Sequence, residues 1–144
     1  MKVRRRYNPK SGNVYYTVGY SKVYHREDGP AIIDKYGTSY WIRYGEYHRK
    51  DGPAIIYSNG DVNWWLYGKR HRDGGPSSTL NGIGSYWYKN DLLHREDGPA
   101  IEYTDGKTSW YKHGIRFLNK EAWFESLTEK EKEKMLYSEY FIRD

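Results

Sequence analysis

Short runs of alternating hydrophobic and polar residues, separated by glycines, extend through most of the chain. In residues 31–44, AIIDKYGTSYWIRY, an apolar start is followed by Gly37 and then by alternation up to Tyr44. Alternation with a period of two predicts β-strands, and a glycine between two such runs predicts a tight turn. The pattern therefore predicts a strand at 31–36, a turn at Gly37 and a second strand at 38–44.

The same two-strand pattern recurs at a fixed spacing. Four histidines stand 23 residues apart: His25, His48, His71 and His94. Each opens nearly the same phrase, HREDGP, HRKDGP, HRDGGP or HREDGP, and a tryptophan recurs with it: Trp41, Trp64, Trp87 and Trp110. A fixed period of this length indicates a repeat architecture. Residues present in every unit are therefore expected to be structural, and a specific function is expected where the pattern breaks.

The period stops near both ends of the chain. The half-repeat before the first unit has two extra residues ahead of His25. Beyond the last unit, Thr128 and Glu131 have the spacing of a capping box, which predicts the start of a second helix. Three parts are predicted: a basic N-terminal arm and capping half-repeat at residues 1–24, four repeats at residues 25–116, and a C-terminal helical cap at residues 117–144.

The cap is predicted to contain two amphipathic helices, at 119–127 and 128–142. Their apolar side comprises Trp123, Phe124, Leu127, Met135, Leu136, Tyr140 and Phe141. The end of a repeat array needs a cover for its open edge or face, and these helices are expected to supply it. Together the patterns predict a mainly antiparallel β fold with a helical C-terminus.

Composition narrows the class of protein. The 144 residues include 17 Tyr and 6 Trp but no Cys. Amphipathic rings in this number predict a thin sheet with aromatic faces, and the lack of Cys excludes disulfides and zinc-thiolate chemistry. No apolar run approaches the ~20 residues that span a bilayer, and the basic N-terminus lacks the apolar stretch of a secretory signal. We therefore expect a cytoplasmic protein without a membrane partner.

The net charge of +5 is concentrated at the N-terminus. Residues 1–24 carry six basic residues and no acidic one, whereas residues 25–116 carry 13 basic and 12 acidic residues. Nearly neutral repeats do not predict a basic groove for long nucleic acids. Contact with an anion or with nucleic acid is expected, if anywhere, at the cluster Arg4, Arg5 and Arg6.

The unit boundaries resemble a known repeat. The phrases WIRYGEYHRKDGP (41–53) and WWLYGKRHRDGG (64–75) are similar to the MORN repeat, and more closely to its His-Arg-x-Asp-Gly-Pro-Ala variant. That variant is common in short phage and bacterial proteins and is related to an antitoxin-like group. The resemblance covers residues 12–116 and implies an elongated, twisted antiparallel sheet of successive 23-residue hairpin repeats. Arg follows His here where ordinary MORN repeats have Gly, so their lipid binding is not carried over.

The repeated His-Arg-x-Asp cluster has two interpretations. In the catalytic one, His is a general base, Asp orients it and Arg holds an anion. In the structural one, Asp accepts backbone N–H groups in a turn and Arg pairs with a carboxylate of the neighbouring unit. Four near-identical copies favour the structural interpretation, since an active site is needed once. A shared metal site is not expected, because equivalent positions two strands apart lie about 9–10 Å from one another.

The second strand of each unit predicts two aromatic rows on opposite faces of the sheet. The invariant tryptophans are expected to face the interior. Large rings with polar edges are typical of binding hot spots, so the variable row is the candidate surface for a partner. That row comprises Tyr40, Tyr44, Trp65, Tyr67, Tyr86, Tyr88 and Tyr111. The pattern does not indicate which face the helices cover.

Unit 3 departs from the others. Gly74 replaces the Asp, and Ser77 and Ser78 replace Ala and Ile. Either a bend in the sheet or a polar pocket for a partner accounts for this change.

These observations predict a non-enzymatic protein that binds another protein through the aromatic sheet face. The particular hypothesis is a phage-encoded inhibitor of a host factor, such as a defence component. The alternative is a binder of nucleotides or nucleic acid that uses stacked Tyr, Trp and Arg side chains. An enzyme, the third class, would need a catalytic constellation outside the repeats, and none is visible. No cofactor is expected.

Overall fold

The computed structural model describes residues 1–135. The predicted apolar residues Leu136, Tyr140 and Phe141 lie outside the described residues. The strands are β1 (Val3–Asn8), β2 (Asn13–Val18), β3 (Ile32–Ile33), β4 (Ser39–Tyr40), β5 (Ile42–Arg43), β6 (Glu46–Tyr47), β7 (Ile55–Ile56), β8 (Val62–Asn63), β9 (Trp65–Leu66), β10 (Lys69–Arg70), β11 (Ser78–Leu80), β12 (Gly84–Tyr86), β13 (Tyr88–Lys89), β14 (Leu92–Leu93), β15 (Ile101–Tyr103), β16 (Thr108–Lys112) and β17 (Ile115–Phe117). The helices are α1 (Lys120–Glu125) and α2 (Glu129–Met135).

Eleven of these strands form one antiparallel sheet, so the predicted mainly β fold with C-terminal helices is confirmed. The strands cross the sheet in chain order: β1, β2, β3, β4, β7, β8, β11, β12, β15, β16 and β17. Directly paired residues point to the same face. One continuous row of pairs comprises Tyr15, Ile32, Tyr40, Ile55, Asn63, Ser78, Tyr86, Ile101 and Ser109. We call the face of this row the tyrosine face, and the opposite face, which carries the invariant tryptophans, the tryptophan face.

In units 1 to 3 the predicted second strand consists of two short strands, whereas in unit 4 it is continuous as β16. In unit 1 the strand predicted at 38–44 is divided at Trp41 into β4 and β5. The Trp41 N–H donates to the carbonyl of Ala54 in the next unit, and pairing with the main sheet ends there. Beyond this point β5 pairs with β6 in a side hairpin, and the pairs β9–β10 and β13–β14 repeat it. A change of partner that involves the next unit is not visible in a local pattern.

The first strand of the unit is also shorter than predicted. The pattern predicted a strand at 31–36, but β3 ends at Ile33. Oδ1 of Asp34 accepts the backbone N–H of Tyr36 at 2.9 Å and that of Thr38 at 3.0 Å. This Asx-type turn begins before the predicted glycine because the Asp side chain replaces a strand partner.

The side hairpins turn through residues with a left-handed backbone. The φ angle is 49° at Tyr44 and 84° at Gly45. Two successive positive φ values form the type I′ turn, whose twist matches that of the flanking strands. Unit 3 makes the same turn without glycine, with φ of 51° at Asn90 and 67° at Asp91. Asn and Asp adopt this region more readily than other side chains do.

The helices pack on the last repeat and form a buried apolar cluster with it. The cluster comprises Trp110, Trp123, Leu127 and Met135, with Phe117 and Phe124 packed against it. The predicted capping box is confirmed, because Thr128 Oγ1 accepts from the Glu131 N–H and Glu131 Oε2 accepts from the Thr128 N–H. Glu131 also pairs with Lys112 of β16 at 2.6 Å.

The N-terminal segment forms a hairpin of two strands. All six residues of β1 pair with β2, from Val3 with Val18 to Asn8 with Asn13. Strand β1 lies at the edge of the main sheet. The predicted division at residues 24 and 116 stays an interpretation.

Candidate functional site

Each motif histidine holds the next side hairpin through one ring nitrogen. Nδ1 of His25 accepts the backbone N–H of Tyr44 at 3.1 Å. The same bond joins His48 to Tyr67, His71 to Asn90 and His94 to His113, at 3.1, 3.4 and 3.0 Å. An accepting Nδ1 requires that the proton of the neutral ring lie on Nε2. Each of the four histidines therefore anchors the hairpin turn that follows it within its own unit.

Each motif arginine is stacked on a ring of the tryptophan face. The guanidinium carbon of Arg49 lies 4.1 Å from the centre of the Trp41 ring. Its Nε donates to Asp51 at 3.1 Å, and its Nη1 donates to the Pro53 carbonyl at 3.2 Å. A Cβ atom on Gly52 would lie 2.7 Å from the same guanidinium carbon, so a larger residue there would displace the stacked arginine. Arg26, Arg72 and Arg95 stack in the same way on Tyr16, Trp64 and Trp87.

This geometry favours the structural interpretation of the motif but changes its details. The Asp was expected to accept backbone N–H groups, and the Arg was expected to reach a neighbouring unit. Instead, Asp51 accepts from Arg49 of its own unit, as Asp28 does from Arg26. The stacked guanidinium lies over the glycine next to the Asp, so the nearest carboxylate belongs to the same turn.

Unit 3 keeps the sheet continuous across its altered residues. Ser77 and Ser78 are buried. The Ser77 hydroxyl accepts a hydrogen bond from the Tyr88 N–H at 2.9 Å, and the Ser78 hydroxyl donates one to Oδ1 of Asn63. These serines therefore fill the sheet, whereas Gly74 of the same unit lines an open cavity between the last two motif turns.

The tryptophan face is covered by the chain itself. Trp41, Trp64 and Trp87 are half-buried under their arginines. At the last unit α1 supplies Trp123, whose ring centre lies 4.7 Å from that of Trp110. The helices thus cover the tryptophan face at the last unit and leave the tyrosine face of the described sheet to the side hairpins.

On the tyrosine face, a line of side chains runs from unit 1 to unit 3. The ring centres of Tyr40 and Tyr47 are 6.3 Å apart, and those of Tyr47 and Trp65 are 5.4 Å apart. The guanidinium of Arg70 lies 5.9 Å from the Trp65 ring and 4.0 Å from the Tyr88 ring. We call this line the ladder. All five side chains are half-buried, and Nε1 of Trp65 is a buried donor with no hydrogen-bond partner among the described residues.

The predicted row is thus brought together only in part. Tyr40, Trp65 and Tyr88 belong to the ladder. Tyr86 packs edge-on against Tyr103 at 6.3 Å, and Tyr111 is half-buried in β16. Burial raises the pKa of Tyr40, Tyr47 and Tyr86, so these phenols remain protonated donors at neutral pH.

Two members of the predicted row have a different environment. Tyr44 and Tyr67 lie in the turns of the side hairpins and are 54% and 59% exposed. Their rings lie 4.2 Å from His25 and 4.4 Å from His48. Alternation along a strand did not predict this exposure, because each strand ends one residue before the tyrosine. The tyrosine itself has a left-handed backbone in the turn, so it no longer follows the alternation.

The basic cluster is divided between the faces of the sheet. Arg4 and Arg6 share one face of β1 and Arg5 occupies the other, opposite Tyr16. The Arg4 guanidinium lies 3.9 Å from the Tyr20 ring, and Arg6 Nε donates to Thr17 Oγ1 at 3.2 Å. A single anion therefore does not meet all three arginines.

Two ladder residues were missed by sequence analysis, namely Tyr47 and Arg70. They precede His48 and His71 and lie in the returning strands of the side hairpins. The pairing of Ile42 with Tyr47 and of Trp65 with Arg70 places them on the face of the predicted row. The signal was available as the residue before each histidine, which varies from unit to unit.

Open cavities also lie between successive motif turns. The cavity between the first two turns measures about 650 Å³ and the one between the last two about 450 Å³. Each is lined by arginine, a tryptophan and carboxylates, such as Arg26, Trp41 and Asp51 in the first. Within residues 1–135 no three His, Asp or Glu side chains form a metal-binding group. None of the described helices is long and apolar enough to span a membrane.

Comparison with known proteins adds no identity to this geometry. No protein-family model matches the chain, and no curated protein matches it.

Proposed function

We propose that this chain is a non-enzymatic protein that binds another protein through the ladder on its tyrosine face. The supporting observation is that aromatic rings and an arginine form a continuous line on the face that the helices do not cover. Aromatic and Arg side chains dominate the energetics of protein interfaces.

The repeats themselves are proposed to belong to the MORN-like variant that their motif resembles. On that resemblance we propose a phage-encoded inhibitor that binds a host factor in the cytoplasm. Tyr44, Tyr67, Tyr86 and Tyr111 are proposed to extend the contact around the ladder.

The alternative of nucleotide stacking on the repeated tryptophans is less well supported. One side of Trp41, Trp64 and Trp87 is already occupied by an arginine. Two of these arginines, Arg49 and Arg95, also pair with an Asp of the same turn, which reduces their charge toward a phosphate.

The test compares capture of a partner by matched variants. Tagged parent protein, Trp65→Ala, Tyr88→Ala and the control Tyr36→Ala are incubated with nuclease-treated host lysate, and retained proteins are quantified by mass spectrometry. Tyr36 is a 72% exposed tyrosine outside the ladder. We expect one protein that the parent and Tyr36→Ala retain and that both ladder variants lose by at least about tenfold. Equal retention by all four, with unchanged melting curves, would contradict the proposal.

A further inference from the structure

A cavity at the N-terminal end differs from those between the motif turns. It measures about 440 Å³, within the range of about 300–1,000 Å³ usual for small-molecule sites. It is lined by Arg6, Asn8, Ser11, Asn13, Tyr15, Thr17, Tyr20, Ser21, Lys22, Tyr24 and Ile32. Two cations and three tyrosines are present, and no carboxylate is among the lining residues. The cavities between the motif turns each contain several carboxylates.

The cavity lies where the chain departs from its repeat. The two residues that are extra relative to later units fall in the loop before His25. In place of a two-residue turn, Val18 N–H donates to the Val23 carbonyl across a longer loop. This loop supplies Tyr20, Lys22 and Tyr24 to the wall. The opposite wall is the tyrosine face of the first hairpin.

The cationic groups of the cavity are available to a ligand. Arg6 uses Nε on Thr17, and its two terminal nitrogens have no hydrogen bond or ion pair within residues 1–135. Lys22 likewise has no such contact in the described part of the chain, and its side chain is exposed. Beside them, Nε of Arg4 is buried without a hydrogen-bond partner among the described residues, under the Tyr20 ring. Uncommitted guanidinium and ammonium groups are the usual ligands of phosphate.

The aromatic groups define the second half of the ligand. Tyr15 and Tyr24 meet edge to face, with ring centres 5.8 Å apart, and Tyr20 is 82% exposed. Arg4 occupies one face of Tyr20 and leaves the other free for stacking. Base-on-aromatic stacking is sequence-tolerant and contributes strongly to nucleotide binding.

We infer that this cavity binds a nucleoside monophosphate group, with Arg6 and Lys22 on the phosphate and the base stacked among Tyr15, Tyr20 and Tyr24. The site is separate from the ladder and does not depend on the proposed protein partner. The same chemical group occurs as a free mononucleotide and at the 5′ end of an oligonucleotide.

Isothermal titration calorimetry with adenosine 5′-monophosphate tests the inference. We expect this nucleotide to bind at least about tenfold more tightly than adenosine or inorganic phosphate, because only the nucleotide engages both halves of the site. Tetrathymidylate with and without a 5′-phosphate distinguishes the sources. Binding of the phosphorylated strand indicates entry of a strand end, and binding of the mononucleotide alone indicates a free ligand. Tighter binding of phosphotyrosine than of the nucleotide would overturn the assignment.

Matched variants separate this site from general charge attraction. Arg6→Gln and Lys22→Gln should each weaken binding by at least about fivefold. The control Arg5→Gln removes the same charge from the same strand but on the opposite face, and binding should stay within about twofold. Lys22→Gln keeps the test valid if Arg6→Gln destabilises the hairpin, because no described contact depends on Lys22. An equal effect of Arg5→Gln, or no detectable binding by the parent, would overturn the proposal.

Discussion

The two faces of the sheet use the same kinds of side chain in different ways. On the tryptophan face, the Trp41, Trp64 and Trp87 rings are each covered by a motif arginine, such as Arg49 on Trp41, and the last ring, Trp110, is covered by α1. On the tyrosine face, the residue before each histidine changes from Tyr47 to Arg70 to Leu93. The repeated contacts on the tryptophan face therefore stabilise the fold itself. Variation is concentrated where the fold does not require a particular side chain, which is where recognition is proposed.

The strongest test of this comparison concerns the end of the tryptophan face. Trp123 is fully buried against Trp110, and Trp123→Ala should reduce the free energy of unfolding by about 3–5 kcal/mol. Removal of residues 118–144 should expose the Trp110 ring and promote association. Urea denaturation and size-exclusion chromatography measure both effects.

The control for that test is Leu118→Ala, because Leu118 is 95% exposed. Its free energy of unfolding should stay within about 0.5 kcal/mol of the parent. A Trp123→Ala loss no larger than this would show that the helices do not stabilise the array.

The next test uses adjacent residues on opposite faces. Trp64 lies under Arg72, whereas Trp65 belongs to the ladder. Trp64→Ala should cost about 2–3 kcal/mol of unfolding free energy, since it removes the ring and strands the stacked guanidinium. Trp65→Ala should cost less stability and weaken partner binding by at least about tenfold, or ~1.4 kcal/mol.

A melting curve beside a binding titration measures both variants, with Tyr36→Ala as the exposed control. If Trp64→Ala loses binding at unchanged stability while Trp65→Ala unfolds, the roles of the two faces are reversed.

A smaller effect is expected from the histidines that anchor the hairpin turns. Burial lowers the pKa of His48, with Arg43 and Lys50 acting in the same direction and Glu46 against them. Burial also lowers the pKa of His94, against the opposing hydrogen bond of Glu96 and with His113 and Lys89 adding to the shift. The unfolded state therefore binds more protons than the folded state. The stability that these two histidines contribute is fully present above the unfolded pKa of 6.5 and is lost as the pH falls below it. Protonation also removes the Nδ1 acceptor.

Denaturant unfolding between about pH 8 and pH 5 checks this sign. The double variant His48→Asn, His94→Asn keeps an acceptor but cannot titrate, so its stability should fall less over that range. An identical decline in parent and variant would place the titrating groups elsewhere.

The smallest effect is expected for the motif aspartate. The Asp51 side chain is 86% exposed. Unit 3 has Gly74 in place of the Asp, yet its Arg72 still stacks on Trp64 and donates to the Pro76 carbonyl. Asp51→Ala should therefore change the free energy of unfolding by no more than about 0.5 kcal/mol. A loss above about 1 kcal/mol, measured by urea denaturation, would restore the expectation that the carboxylate satisfies buried backbone groups.

How much the sequence predicted depends on the range of the interaction. The strands, the capping box at Thr128 and the aromatic alternation follow from local patterns, and the structure has them. The division of the second strand at Trp41 does not follow, because its hydrogen-bond partner is Ala54 of the next unit. Three of the five ladder residues were predicted. The other two, Tyr47 and Arg70, join the ladder through hairpin pairing rather than through alternation along one strand.

The 23-residue period and the alternation along each strand were enough to predict a repeat array with aromatic rows and a different C-terminal end. A period and an alternation of two specify which residues are equivalent and which share a face. The tertiary structure decided which face the helices cover, that each motif arginine stacks on a ring, and that a longer loop encloses a cationic cavity beside Arg6. These outcomes depend on contacts between side chains distant in sequence, for which a one-dimensional pattern contains no distance.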